Sequence, residues 1–166
     1  GAATTSELLN HDMVICGYNN TRKTVNNAIR KSKGFSGPLP MVGERVVCLR
    51  NNRKHGVFNG MLGTVVGCRA KYGKTMLHII DDVGNEAELA VDPQQFKAPK
   101  TLKDVDYQLG LFDFGYALTA HKSQGSEWGR VMVLEQIASS WGAGRWRYTA
   151  ATRAADRLTY AYAGRR

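Results

Sequence analysis

The pattern of apolar and polar positions divides the chain into three stretches. "DMVICG" (residues 12–17) is a short apolar run around Val14 and Ile15, bounded by polar residues, and it predicts a buried strand. A helix is expected directly behind it. Asn19 or Asn20 offers a cap, Val25, Ala28 and Ile29 fall on one helical face, and Gly34 stops the run after a Lys-rich last turn. Strand followed at once by helix opens an α/β unit.

Between residues 41 and 96 the texture changes. The runs "RVVCLR", "GTVVGCR", "TMLHII" and "EAELAV" are separated by "NNRKHG", "FNGMLG", "AKYGK" and "DDVGN". Short strands between Gly- and Asn-rich turns predict a small antiparallel barrel or sandwich. From Pro99 onward the α/β texture returns: "DFGYALTA" reads as a strand, "HKSQGSEW" as a loop running into one helical turn, and "RVMVLE" as a buried strand. A helix over 145–155 and a closing strand "LTYAYA" complete the expected order. The simplest topology is an α/β fold: a parallel-sheet domain of residues 1–40 and 99–166, interrupted by a small antiparallel β-barrel over 41–98.

"GCRAKYGKT" (residues 67–75) ends like a phosphate-binding P-loop, but the spacing excludes one. A P-loop needs glycine where Cys68 stands, and Gly67 misses by one residue. The following "TMLHII" has strand character, whereas a P-loop Lys-Thr opens a helix. Residues 70–74 are therefore expected at the tip of a β-hairpin.

Charge narrows the class of partner. Lys and Arg number 23 against 14 acidic residues, a formal charge of +9, which favours a polyanion; a solvated basic surface is the plainer reading. Cys16, Cys48 and Cys68 lie far apart in apolar surroundings, the pattern of reduced thiols in a cytoplasmic protein. Neither a membrane span nor a signal peptide is expected, and the "GAATTSELL" start reads as that of an excised fragment or processed chain. His11, His55 and His78 have no metal-ligand spacing, so no metal site is expected of this chain.

Two segments concentrate chemistry. Residues 119–127, "TAHKSQGSE", follow a strand, where open parallel sheets bind ligands beyond their carboxyl ends. They gather hydroxyls, an imidazole, a lysine, an amide, a glycine and a carboxylate. "YTAATRAADRL" (residues 148–158) places Arg153 near the end of an amphipathic helix, where a guanidinium can meet a transferring phosphoryl group or simply pair with Asp156. In "NNTRKTVN", Arg22 falls in the first turn of its helix, where the dipole disfavours a cation unless an anion is bound nearby.

In order, "VICGYNNTRKTVNNAIR", "YALTAHKSQGSEWGRVMV" and "RYTAATRAADRLTYA" resemble motifs IV, V and VI of superfamily 1 DNA helicases. The group is that of RecD, the exodeoxyribonuclease V alpha-subunit, and Dda. The resemblance implies a RecA-like second motor domain. It also implies that the 41–98 insertion, whose "PMVGERVVCLRNNRKHGVFNGMLGTVVG" is similar to the family's, is a Src-homology-three-like barrel. Carried over position by position, it implies that Thr119, His121 and Ser123 contact single-stranded DNA, and that Gln124, Gly125 and Glu127 face the nucleotide. Arg22 and Arg153 would contact the γ-phosphate, with Arg153 as arginine finger. The cofactor implied is ATP with Mg, shared with an N-terminal RecA-like motor domain whose P-loop and acidic motifs are not in this sequence. Trp128 departs from the family's smaller residue, and "ASSWGAGRWR" matches none of its patterns. The resemblance thus implies the C-terminal half of an ATP-dependent DNA helicase. The other reading is a non-catalytic, basic nucleic-acid-binding module.

Overall fold

The computed structural model describes residues 3–162. Ala163, the last residue of the expected closing strand, and the outermost ends of the expected first domain lie outside them. The chain divides into two units, Gly1–Lys33 with Tyr116–Arg166, and Gly34–Gly115.

In the first unit, α1 (Thr5–Leu9) was not apparent from periodicity, but a capping box defines it. The Glu7 amide donates to Thr4 Oγ1 at 3.3 Å while the Glu7 carboxylate accepts from the Thr4 amide at 2.6 Å. β1 (Met13–Cys16) is buried along its whole length, as the apolar run requires. α2 (Asn19–Ser32) follows as expected, capped at its start by Tyr18 rather than by an Asn side chain, and Gly34 sits beyond its end at φ +81°.

The expected single strand "DFGYALTA" is two strands. β6 (Phe112–Phe114) belongs to the second unit's sheet and β7 (Ala117–Thr119) to the first unit's. β8 (Trp128–Glu135) is the expected buried strand begun two residues early, with Trp128 its first residue. α3 (Ala143–Ala151) starts and stops before the expected 145–155, and β9 (Ala154–Tyr162) replaces the end of that helix. The cause is local: the Thr152 hydroxyl donates to Tyr148 O at 2.8 Å and closes the last turn, while β8 recruits residues 154–162 as a parallel neighbour. The sheet order is β7-β1-β8-β9, all parallel.

One buried side chain bolts the helix to this sheet. Asn26, 1% exposed, accepts from the amides of Tyr116 (3.1 Å) and Ala117 (2.8 Å) and donates to Ala117 O at 3.4 Å. Asn26→Leu is expected to strand these backbone groups at about 1–3 kcal/mol each. Thermal unfolding should register a Tm lowered by roughly 5 °C or more.

The second unit contains β2 (Arg45–Cys48), β3 (Leu62–Lys71), β4 (Lys74–Asp81) and β5 (Glu86–Val91), close to where the pattern put them. With β6 they form an antiparallel sheet of order β5-β4-β3-β2-β6. An isolated parallel bridge pairs Val91, at the end of β5, with Gly110, two residues before β6, and Gly110 donates to Ala90 O at 2.7 Å. Lys71 pairs with Lys74 across a tight turn whose central residues, Tyr72 (φ 50°) and Gly73 (φ 70°), are both left-handed. Lys74 therefore opens a strand, and the near-miss P-loop is a hairpin tip.

Candidate nucleotide and nucleic-acid site

β1, β7 and β8 end side by side at Cys16, Thr119 and Glu135, and the segments that follow them carry the predicted residues. After β1, the turn into α2 is strapped by Gln136. Its Oε1 accepts from the amides of Gly17 (3.2 Å) and Tyr18 (3.3 Å), and its Nε2 donates to Thr21 Oγ1 at 2.8 Å. A Cβ on Gly17 would lie 2.1 Å from Gln136 O, so the turn requires glycine. These amides are occupied by a side chain, unlike those of a phosphate-cradling loop. Arg22, one helical turn on, is 6% exposed and its Nε donates to Asn19 Oδ1 at 3.2 Å. Its positive field reaches Cys16, where it opposes the burial that pushes the thiol up to about 12.

The 119–127 loop is tightly organised around a buried hydroxyl. Ser123 is fully buried; its amide donates to Thr119 O at 3.0 Å and its Oγ to Ala120 O at 2.8 Å. Ser123 thus shapes the loop and presents no hydroxyl at its surface. Thr119 Oγ1 accepts from the Lys122 amide at 3.3 Å. The segment carries no helix, although the single bond from Ser123 to Thr119 closes one helix-like turn. Gly125 is left-handed at φ +82°, with open space where a side chain would stand. His121, Gln124 and Glu127 are exposed.

Arg153 lies past the end of α3, in the connection to β9. Its Nε donates to Thr149 O at 3.0 Å and one terminal nitrogen donates to Thr152 Oγ1 at 3.0 Å. The other donates to Ser126 O at 2.9 Å and Ser123 O at 3.4 Å. Its backbone carbonyl also accepts from the Trp128 amide at 2.8 Å. Four of the five guanidinium N–H groups are therefore engaged, and motif V and motif VI segments are fastened to each other through one side chain.

Sequence reasoning missed the aromatic cluster beside this loop. Trp141 meets the His121 ring edge-on at 5.0 Å between centroids and Tyr18 at 5.5 Å, so residues after β1, β7 and β8 converge. Trp141 and Trp146 come from the unassigned "ASSWGAGRWR", and only its unusual tryptophan content marked it.

Residues 114–159 match the UvrD-like helicase C-terminal domain. The chain is 33% identical over 131 residues to the ATP-dependent RecD2 DNA helicase of Deinococcus radiodurans, covering 78% of this chain and 15% of that protein. It is 30% identical over 96 residues to the conjugal transfer protein TraA of Agrobacterium fabrum, covering 58% of this chain and 7% of that protein. The chain thus spans a small part of the curated relatives it matches. In fold it is similar to Bacteroides Pif1 bound to single-stranded DNA, with a TM-score of 0.59 at 20% identity over 95% of this chain and 45% of that one. Candida albicans Pif1 gives 0.57 at 17% identity over 89% of this chain and 44% of that one. Fold and motifs together define a RecA-like C-terminal domain of the superfamily 1 helicase class. Within that class the chain is similar to the RecD-like helicases.

Proposed function

We propose that the chain is the second motor half of a cytoplasmic, ATP-dependent DNA helicase or translocase, working with an N-terminal RecA-like domain of the same protein. The observation that carries this reading is the clasp of Arg153 onto the 119–127 loop. One piece of structure joins an arginine suited to phosphate with the loop suited to the strand, which is what coupling hydrolysis to movement requires.

In this reading Thr119 and His121 meet single-stranded DNA, and Ser123 positions them from inside the loop. Gln124, Gly125 and Glu127 face the nucleotide, and Arg22 and Arg153 face its γ-phosphate. The remaining Arg153 N–H is the donor available without breaking the clasp. ATP would be held between these residues and the other motor domain, and it supplies the phosphoryl group whose charge the two arginines stabilise. Among the described residues no cluster of three or more His, Cys, Asp or Glu side chains is placed to hold a metal, so Mg ligands are assigned to the other domain. No helix among the described residues is long and apolar enough to cross a membrane.

We read the second unit as containing the inserted Src-homology-three-like barrel, on the support of the Val91–Gly110 bridge from β5 to the segment leading into β6. Its limits in this reading are 41 and 98, inside the unit Gly34–Gly115.

Fluorescence anisotropy with a labelled single strand tests the division of labour. Thr119→Ala combined with His121→Ala is expected to weaken strand binding by roughly tenfold and to flatten its salt dependence slightly. Unchanged affinity would remove these residues from the strand path.

A further inference from the structure

The first turn of α2 is poorly built to hold a cation by itself. Its cap residue Tyr18 makes no side-chain hydrogen bond, and no acidic residue stands in the turn. The first amides of a helix lack intrahelical partners and the dipole opposes a positive charge beside them, so a turn of this composition frays. Yet Arg22 is 6% exposed, and its amide closes the first helical bond onto Tyr18 O at 3.0 Å. Something outside the helix must fix the turn.

Gln136, the residue after β8, does so. Its Oε1 accepts from the amides of both Gly17 and Tyr18, and its Nε2 donates to Thr21 Oγ1. The three bonds grip the turn on both sides: at Tyr18, whose carbonyl receives the Arg22 amide, and at Thr21, the residue before Arg22. Backbone packing is equally close, since a Cβ added at Gly17 would also lie 2.7 Å from Gln136 Cβ. Asn19, inside the gripped span, accepts from Arg22 Nε at 3.2 Å. The path from Gln136 to the guanidinium is thus short and bonded at each step.

We propose that Gln136 is a positioning residue for Arg22. It touches neither nucleotide nor strand, and it aims the guanidinium by holding the first turn of α2. The inference rests on the reading of Arg22 as a γ-phosphate contact and adds to it a residue from outside the three motif strings. A charge-stabilising group displaced by a fraction of its reach loses rate more than binding, because its contact is strongest where charge develops.

The test is a set of double-mutant cycles in the full-length protein, with ATP turnover measured well below the melting temperature read by circular dichroism. Gln136→Leu removes all three bonds and is expected to lower kcat by about tenfold or more, with KM for ATP and strand affinity within about threefold of the parent. Thr21→Val removes only the Nε2 bond and is expected to lower kcat by about threefold. Each is combined with Arg22→Gln. A residue that acts through Arg22 adds no further loss once Arg22 is gone, whereas a general loss of packing slows both backgrounds alike. If Gln136→Leu does not fold, the Thr21→Val cycle decides by itself.

The same factor lost with and without Arg22, or both single variants within about twofold of the parent while Arg22→Gln is slow, would overturn the positioning role and leave the phosphate contact standing. An Arg22→Gln enzyme as fast as the parent would instead refute the phosphate assignment of Arg22, and the role of Gln136 with it.

Discussion

Arg153→Ala in the full-length protein is expected to lower steady-state ATP hydrolysis by roughly a thousandfold or more, the loss typical of an arginine finger. The structure adds a second, smaller consequence. Removing the guanidinium also frees Ser123 O and Ser126 O, so the 119–127 loop loses its tie to the end of α3. Strand affinity should therefore fall a few-fold as well. Arg153→Lys separates the two roles, because an ammonium keeps the charge but cannot span four acceptors with a rigid planar fork. It is expected to recover little of either property. If hydrolysis survives both substitutions within tenfold, Arg153 is a structural clasp and nothing more.

Arg22→Gln should produce the second large effect, a loss of roughly a hundred- to a thousandfold in kcat, the size seen when one preorganised donor is removed from developing charge. Arg22 is 6% exposed in the first turn of α2, where the helix dipole disfavours a cation and favours an anion. Without nucleotide, a first-turn cation opposes the helix dipole, so the Gln variant is expected to melt within a few degrees of the parent. Kinetics and melting measured on the same preparation check both halves. A fall in Tm with unchanged kcat would make Arg22 an element of packing and leave Arg153 as the phosphate contact.

The hairpin at residues 70–74 was legible because alternation in "TMLHII" and the glycine at a left-handed position are local properties. The break inside "DFGYALTA" was not. Both halves are apolar, and what separates them is the sheet each one joins. At Gly115 an added Cβ would come within 2.8 Å of the Val46 backbone, a close approach that only the folded register reveals. Likewise, the helical period around Arg153 continues past the point where the chain stops being helical, since the pairing of residues 154–162 with β8 overrides it.

The candidate site divides in the same way. Motif strings named Thr119, His121 and Arg153, but the inward turn of the Ser123 hydroxyl and the Gln136 strap depend on neighbours distant in sequence. Gln136 follows a buried strand as an ordinary polar residue, with no local sign that it fills the turn between β1 and α2. The tryptophans of "ASSWGAGRWR" carried no recognisable pattern, because their meaning lies in the loop they stand against.

The most direct measurement compares ATP turnover by residues 1–166 alone with turnover after the chain is joined to the N-terminal motor domain of its parent protein, each with and without single-stranded DNA. The account predicts no hydrolysis by the chain alone and strand-stimulated hydrolysis by the joined protein, lost with Arg153→Ala. Strand-stimulated turnover by the chain alone, or turnover in the joined protein indifferent to Arg153, would contradict it.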